Sequence, residues 1–384
     1  MIICVAGLRG VPRVLGGVET HCEQLFPRLQ KLRSNDSFTI IARRGYVAEQ
    51  ISEYGGVRVV ALPHSRSRYF ETISNTIGAV FYAKFVAHAD LLHLHGIGPA
   101  LTAPFAKALG MKVISTYHSR NYEQAKWNMV ARAALRMGEM CAVFFSDHII
   151  AVSPWMTEDL KRRFPISARK IHFIPNGADH LLDRESVAHS TAAGLLASYG
   201  LEKNKYMLTA GRLVPEKGFH DLIKAFEATD LGLKLVIAGD ANQKDAYSRS
   251  LLSLASDRIV FTGILSPPAL HALLQHASLF VLPSHNEGMP IIALEAIAAG
   301  APVLLSDIPS NLDLKLGSQN YFKVRDIENL RLKLAGDHGR LRVPREQIVA
   351  KYNWDAICAE TNSVYGAALR DSPAIRSGPR PVLR

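Results

Sequence analysis

Short apolar runs alternate with amphipathic stretches along most of the chain and predict parallel strands alternating with helices. Residues 2–6, 91–95, 206–210 and 279–282 are mainly apolar over four or five positions, as expected of strands buried on both faces. Residues 18–32 instead carry leucines at helical spacing. Because this rhythm runs through both halves, we expect an α/β protein with two doubly wound, Rossmann-like domains that face each other across a cleft.

The predicted domain boundaries lie where this rhythm is interrupted. We predict a first domain over residues 1–180 and a second over residues 200–350, joined by a less ordered stretch that ends near Asn204. Residues 371–384 are rich in Pro, Ser, Gly and Arg, and this composition predicts a disordered tail.

The stretch from Ser278 to Asp307 contains the strongest candidate for a ligand site. A buried strand at 279–282 is broken by Pro283, and a helix is predicted from Pro290 to Gly300. A second strand follows at 302–305. The loop between strand and helix therefore lies at the carboxyl end of a parallel strand, where open α/β sheets bind ligands.

Two carboxylates bracket this loop, Glu287 before the helix and Glu295 inside it. The free N–H groups of a helix start favour a phosphate, and a carboxylate accepts hydrogen bonds from pairs of sugar hydroxyls. The loop is thus suited to a ligand that carries both phosphate and sugar. The alternative for Glu287 is an ordinary solvated helix start.

A matching segment lies upstream, where a strand at 206–210 is followed by Gly211, Arg212 and Lys217. Arginine binds phosphate through two hydrogen bonds and lysine adds a point charge. Two such cations would stabilise the charge that grows on a departing diphosphate. Taken alone, both residues are more typical of ordinary surface charges, but the loop with Glu287 and Glu295 favours the phosphate interpretation.

Two features of the first half are further candidates. Gly16 and Gly17 end a Gly-rich loop after the first strand and would let backbone approach a ligand, although a complete G-x-G-x-x-G fingerprint is absent there. His118 follows the strand at 112–116 and is expected at the ligand edge of the sheet, where it contacts the ligand or serves as a capping or packing residue.

Histidines also occur at positions 93 and 95, on one face of a predicted strand. They could form part of a metal site, but no further ligand cluster is visible in the sequence. We therefore favour a structural or cleft-lining role for both.

Charge and composition narrow the class of protein. The chain has 384 residues and a formal net charge of +11. Because the sequence contains no nucleic-acid-binding motif, binding to an anionic membrane face or to anionic substrates explains this charge better than binding to nucleic acid. Candidate contacts are a basic loop with Arg66 and Arg68 and a predicted helix at 121–145 that carries Lys126. The alternatives are a solvated helix flank and charge concentrated in the tail.

No run of about 18 apolar residues occurs, so we expect no transmembrane helix, and the first residues lack the features of a signal peptide. The cysteines are scattered without C-x-x-C spacing, which favours reduced thiols in a cytoplasmic protein; they are Cys4, Cys22, Cys141 and Cys358. Peripheral attachment to the inner face of the plasma membrane is compatible with this location.

The segments GRLVPEKG and EGMPIIALEAIAAGAPVLLSD together resemble the signature of the family 4 retaining glycosyltransferases with the GT-B fold. The segments GLRGVP, GGVE, HLHGIGPAL and STYHSRNYEQAKW are similar to the rhamnosyltransferase-like branch, which acts in bacterial surface-polysaccharide assembly. The resemblance covers roughly residues 1–368.

The resemblance implies a first domain that binds the acceptor, a second that binds a nucleotide sugar, and a crossover helix at about 355–369 that packs back on the first domain. The donor would be a UDP-, dTDP- or GDP-linked hexose or deoxyhexose, and the acceptor a saccharide or a polyprenyl-linked saccharide. Transfer would proceed with retention of configuration. Because no D-x-D motif occurs, we expect no metal and no other cofactor.

The resemblance also suggests roles for individual residues. Arg212 and Lys217 would hold the diphosphate, Glu287 the donor sugar and Glu295 the ribose, while His118 would lie near the transferred sugar or the acceptor. No side-chain base is assigned, since the leaving phosphate oxygen would take the acceptor's proton. Further donor-side positions are Gly16, Gly17, Gly211, Gly288, Met289 and Pro290. Basic residues expected on the acceptor side are Arg9, Arg66, Arg120 and Lys126.

Three other classes of protein fit parts of the pattern. A sugar-nucleotide epimerase or hydrolase would share the architecture, and product analysis without an acceptor would separate it. A catalytically inactive scaffold has no reason to keep all four of Arg212, Lys217, Glu287 and Glu295. A dehydrogenase or methyltransferase is disfavoured by the missing fingerprint and by the two similar halves.

Overall fold

Two sheets, parallel except for one edge strand, form the frame of the molecule. The computed structural model describes residues 1–67, 70–124, 127–181, 189–241 and 245–370. The first sheet has the strand order β3-β4-β2-β1-β5-β6-β7-β8, with β3 antiparallel to β4. Its strands are β1 Ile2–Ala6, β2 Ser37–Arg43, β3 Ile51–Tyr54, β4 Val57–Leu62, β5 Leu91–His95, β6 Lys112–Tyr117, β7 His148–Ala151 and β8 Ile171–Phe173.

The second sheet has six strands in the order β11-β10-β9-β12-β13-β14. These are β9 Tyr206–Ala210, β10 Lys234–Ala238, β11 Ile259–Gly263, β12 Leu279–Leu282, β13 Val303–Ser306 and β14 Tyr321–Phe322. The central strands β9 and β12 are buried along their whole length, as their apolar runs require. The predicted class of two Rossmann-like α/β domains is confirmed.

Helices connect the strands and cover both sheets. They are α1 Gly17–Leu32, α2 Glu71–Phe81, α3 Ala103–Ala108, α4 Met129–Phe145, α5 Pro154–Arg163, α6 His189–Ser198, α7 Phe219–Glu227, α8 Ala246–Leu252, α9 Pro267–His276, α10 Ile291–Ala298, α11 Pro309–Leu312, α12 Ile327–Leu334, α13 Arg345–Lys351 and α14 Trp354–Arg370. None of the described helices is long and apolar enough to cross a membrane.

Some predicted boundaries are wrong. The helix expected over 121–145 begins instead as a short 3-10 turn, Asn121–Glu123, and α4 starts only at Met129, where the side chain of Asn128 accepts a hydrogen bond from the N–H of Ala131 at 2.9 Å. The stretch expected to be less ordered contains α6. Residues 371–384, the predicted disordered tail, lie outside the described residues.

The last described helix, α14, returns to the first sheet. Trp354, Ile357 and Tyr365 are buried in the same apolar cluster as Ile3 and Leu25 of β1 and α1. The last described residues therefore lie on the first domain, across the cleft from strands β9–β14. All four cysteines are buried and free.

Candidate active site

Glu287 lies in the loop between β12 and α10, at the carboxyl edge of the second sheet. Its Oε1 accepts hydrogen bonds from Lys217 Nζ at 2.5 Å and from Ser284 Oγ at 2.6 Å. Lys217 comes from the loop after β9, the strand beside β12. Adjacent parallel strands thus bring together two predicted site residues that are 70 positions apart in the chain.

Arg212 is half-buried at the same edge, directly after β9. Burial lowers the pKa of this guanidinium, the positive charge of Arg9 lowers it further, and the carboxylate of Glu287 is among those that oppose the shift. Since arginine stays protonated at neutral pH, the group is a poorly solvated cation. Such a cation favours an anion, such as a phosphate, as its partner.

The loop after β1 approaches Arg212 from the first domain. Glu19, buried at the start of α1, accepts a hydrogen bond from the backbone N–H of Arg9 at 3.1 Å and pairs with its guanidinium at 3.4 Å. Gly16 has φ 152°, and a side chain there would overlap Glu19. At Gly17 a β-carbon would meet no atom within 4 Å. Arg9, expected on the acceptor side, therefore lies near enough to Arg212 for the two positive charges to interact.

Two glycines on the second domain are required for different reasons. A β-carbon on Gly288 would lie 1.5 Å from the carbonyl oxygen of His118, so only glycine permits this contact between the two domains. Gly211 has room for a β-carbon but adopts φ 153°, so its backbone conformation selects glycine.

Met289 and Pro290 connect the loop to the first domain and to α10. Asn176 Nδ2 donates to the carbonyl oxygen of Met289 at 2.9 Å, and Asn176 Oδ1 lies 2.8 Å from His21 Nδ1. Pro290 precedes α10, whose cap supplies no side-chain hydrogen bond. The first N–H groups of α10 therefore have no side-chain cap and are suited to an anion.

Glu295 lies deeper than Glu287, on the second turn of α10. Only 7% of its surface is exposed, and its Oε1 accepts a hydrogen bond from His180 Nε2 at 2.8 Å. The ribose contact expected of this residue would thus use its other oxygen. His180 has no local sequence pattern that points to the site, because the pair is separated by 115 positions.

His118 belongs to a cluster of histidines at the carboxyl edge of the first sheet. Its Nε2 lies 3.0 Å from His95 Nδ1, and His21 packs against both rings. Each of the three offers a ring nitrogen within 4.8 Å of the others. Burial lowers the pKa of all three, that of His21 to about 4, and like charges within the cluster add to the effect for His95 and His118. These imidazoles are therefore neutral at pH 7.

His93, on the same strand face as His95, packs against the His95 ring with centroids 4.3 Å apart but makes its own hydrogen bonds. Its Nδ1 lies 2.6 Å from Tyr365 Oη and its Nε2 lies 2.7 Å from Thr116 Oγ1. Both nitrogens are occupied, so His93 has a structural role that ties α14 to the first sheet. His21, on α1, lies beside His95; sequence reasoning missed it because no strand or motif places it there.

A cavity of about 230 Å³ opens between the domains beside Glu287. Residues lining it from the first domain are Arg120, Glu123 and Trp155. The guanidinium of Arg120 lies 4.3 Å from the ring centroid of Trp155 and pairs with Asp159. Glu123 Oε2 accepts a hydrogen bond from Asn286 Nδ2 at 2.9 Å across the cleft. Arg120 therefore lies in the cleft, and its contact with the acceptor stays a prediction.

Of the other described residues expected on the acceptor side, Arg9 and Arg66 do not line this cavity. Arg66 is exposed on the first domain. Lys126 and Arg68 lie outside the described residues.

Helices α2, α3 and α4 and the turn after α2 leave many large apolar side chains exposed on the first domain. On α4, Met129 is 85% exposed and Val130 is 78% exposed, and Arg132 and Arg136 lie exposed beside them. Phe81 of α2 contacts Phe105 of α3 with ring centroids 5.2 Å apart, so α2 and α3 touch through these exposed side chains. Further exposed side chains on this surface are Ile77, Phe85, Val86, Met137, Met140, Phe144 and Phe145. We call the set the α2–α4 apolar face.

Comparison with known families matches both halves of the chain. Residues 15–180 match the family described as Glycosyltransferase Family 4, and residues 196–338 match Glycosyl transferases group 1. An uncharacterised glycosyltransferase of Methanocaldococcus jannaschii is 25% identical over 384 aligned positions, which cover 93% of this chain and 96% of that protein.

Solved structures with the same fold span nearly the whole chain. Sucrose-phosphate synthase from Thermosynechococcus elongatus has a TM-score of 0.78 at 21% identity, over 97% of this chain and 100% of that one. Anabaena HepE, in complex with UDP-glucose, has a TM-score of 0.75 at 16% identity, over 96% of this chain and 100% of that one. The two-domain architecture is therefore shared with both.

Proposed function

Because this chain belongs to the family 4 glycosyltransferases with the GT-B fold, we propose that it transfers a hexose or deoxyhexose from a nucleotide-diphosphate sugar. The acceptor is a saccharide or a lipid-linked saccharide, and the product enters cell-surface polysaccharide biosynthesis. Transfer retains the anomeric configuration and uses no metal ion.

The observation that carries the proposal is the grouping of Arg212, Lys217 and Glu287 at one sheet edge, next to the uncapped start of α10. The two cations and the helix start can stabilise a diphosphate as the bond to the sugar breaks. Glu287 is positioned by Lys217 to accept hydrogen bonds from sugar hydroxyls. The complex of HepE with UDP-glucose supports the same class of donor.

The surroundings of Glu287 also support retention without a side-chain base. Its Oε1 already accepts hydrogen bonds from Lys217 and Ser284, and an ion pair with lysine makes a carboxylate a weaker nucleophile and a weaker base. In the mechanism we propose, the acceptor hydroxyl attacks from the face of the leaving diphosphate. The leaving phosphate oxygen takes the proton of that hydroxyl, so atoms and charge balance without a protein base.

The α2–α4 apolar face supports a lipid-linked acceptor. Exposed apolar patches of this extent mark interaction surfaces, and the exposed arginines of α4 would complement anionic headgroups. Docking through this face would hold the first domain, and with it the cavity beside Arg120, at the surface that contains the acceptor.

The test is transfer from UDP-, dTDP- and GDP-linked sugars to a membrane lipid fraction in excess EDTA, with NMR of the product. We expect one donor class to be consumed only when acceptor is present, and the glycosidic bond to keep the donor's configuration. A strict metal requirement or an inverted product would contradict the mechanism. Conversion of the donor without acceptor would indicate an epimerase or hydrolase.

A further inference from the structure

The segment Asn176–His180 contacts three elements that are far apart in the chain. Asn176 donates a hydrogen bond to the carbonyl oxygen of Met289, in the loop between β12 and α10. Asp179 accepts a hydrogen bond from the backbone N–H of Trp354 at 2.9 Å, at the start of α14. A β-carbon on Gly177 would overlap the indole ring of Trp354, with its nearest atoms 2.6 Å away. The segment is thus held firmly against the returning helix.

His180 forms the last link, between Trp354 and Glu295. Trp354 Nε1 donates to His180 Nδ1 at 3.1 Å, and His180 Nε2 lies 2.8 Å from Glu295 Oε1. All three side chains are buried. An indole N–H can only donate, so Nδ1 must be the acceptor and Nε2 must carry the proton of a neutral imidazole. The indole of Trp354 therefore fixes the tautomer in which His180 donates to Glu295.

We propose that His180 is a positioning residue for the donor nucleotide, fixed in its tautomer by Trp354. By occupying Oε1 of Glu295, it directs the remaining oxygen, Oε2, toward the ribose hydroxyls. The inference rests on the proposed function, since it assigns the ligand of Glu295 as the ribose of a nucleotide sugar. It also couples donor binding to α14, the element that returns to the first domain.

His180 can position Glu295 because a buried carboxylate oxygen without a hydrogen-bond donor raises the free energy of the folded protein. Without a donor at Oε1, Glu295 would turn that oxygen toward water or toward another donor. The carboxylate would then lose the orientation in which one oxygen is free for a hydroxyl pair. The loss would appear as weaker nucleotide binding, because the chemistry at the sugar lies near Glu287 and His118 instead.

The experiment compares His180→Phe with His180→Gln in the full chain. Glutamine keeps one acceptor and one donor, whereas phenylalanine has neither. The probe is the nucleoside diphosphate that the wild type binds from a panel of UDP, dTDP and GDP. Calorimetry measures its Kd, and transfer assays measure the donor KM and kcat.

We expect His180→Phe to raise Kd and donor KM about tenfold, as for a lost hydrogen bond to a charged group. His180→Gln should stay within about threefold of wild type, and kcat should change less than KM. The affinity lost in the double variant His180→Phe/Glu295→Gln should not exceed that lost in Glu295→Gln alone, because both changes remove the same interaction.

Unchanged nucleotide affinity in a folded His180→Phe, or fully additive losses in the double variant, would overturn the inference. If His180→Phe does not fold, Trp354→Phe is tested in its place. We expect this variant to raise the Kd for the nucleotide about threefold, and an unchanged Kd would overturn the inference. Failure of the proposed function looks different, because the wild type itself would then bind no nucleotide, and the inference would fall with it.

Discussion

At the scale of residues, the buried imidazoles at the edge of the first sheet are the most distinctive feature. His21, His93, His95 and His118 lie close together, and desolvation lowers the pKa of each. Neutral rings can share hydrogen bonds at 3.0 Å, as His95 and His118 do, whereas two imidazolium ions could not. Desolvation therefore keeps all four as neutral imidazoles at neutral pH.

This state predicts a direction for stability against pH. In the unfolded chain a histidine titrates near pH 6.5, whereas in the folded protein the pKa of His21 is about 4 and that of His93 about 3. Below pH 6.5 the unfolded state therefore binds more protons, so the stabilisation is complete above this pH and is lost on acidification.

The prediction is a free energy of unfolding that falls between pH 6.5 and pH 4. In the variant His93→Gln, the glutamine can still bond to Tyr365 and Thr116. Its free energy of unfolding should fall less steeply than that of the wild type, by up to about 1.4 kcal/mol per pH unit. Urea denaturation at a series of pH values measures both slopes. Equal slopes for variant and wild type would contradict the assignment of His93 as a buried neutral group.

At the scale of elements, strand positions could be predicted well because a buried parallel strand must be apolar throughout. The bounds of β1, β5, β9 and β12 are those expected from the apolar runs. Strand β3 and helix α6 were missed. No position of β3 is fully buried, and α6 has no apolar stripe. Helix α4 ends at Phe145 as predicted, but its start could not be located because its outward face is apolar too, which hides the usual amphipathic pattern.

The apolar outward face of α4 predicts binding to anionic vesicles. The triple variant Met129→Ser/Val130→Ser/Met137→Ser should bind at least about tenfold more weakly, because burial of each apolar side chain contributes about 1–2 kcal/mol. Leu332→Ser, at a 57% exposed position on α12 of the other domain, is the matched control. Co-sedimentation with phosphatidylglycerol vesicles measures both, and equal loss in the two variants would argue against this face.

At the scale of the whole molecule, part of the site was predictable and part was not. Arg212, Lys217 and Glu287 could be grouped because they follow adjacent parallel strands, and strand ends share one edge. Contacts between His180, Glu295 and Trp354 join residues 115 and 174 positions apart through side chains from three elements. No periodicity or local motif encodes such contacts, since they depend on how the returning helix packs.

The proposed function requires the cleft to bind a nucleotide sugar through cations of the protein. The most direct measurement is calorimetry with a panel of UDP-, dTDP- and GDP-linked sugars in EDTA, using wild type, Arg212→Ala and the control Arg340→Ala, whose side chain is 83% exposed. We predict that one donor class binds the wild type and the control alike. Arg212→Ala should bind it about tenfold or more weakly, as expected for a lost charge-assisted contact. Equal affinity of Arg212→Ala and wild type, or no binding of any nucleotide sugar, would contradict the claim.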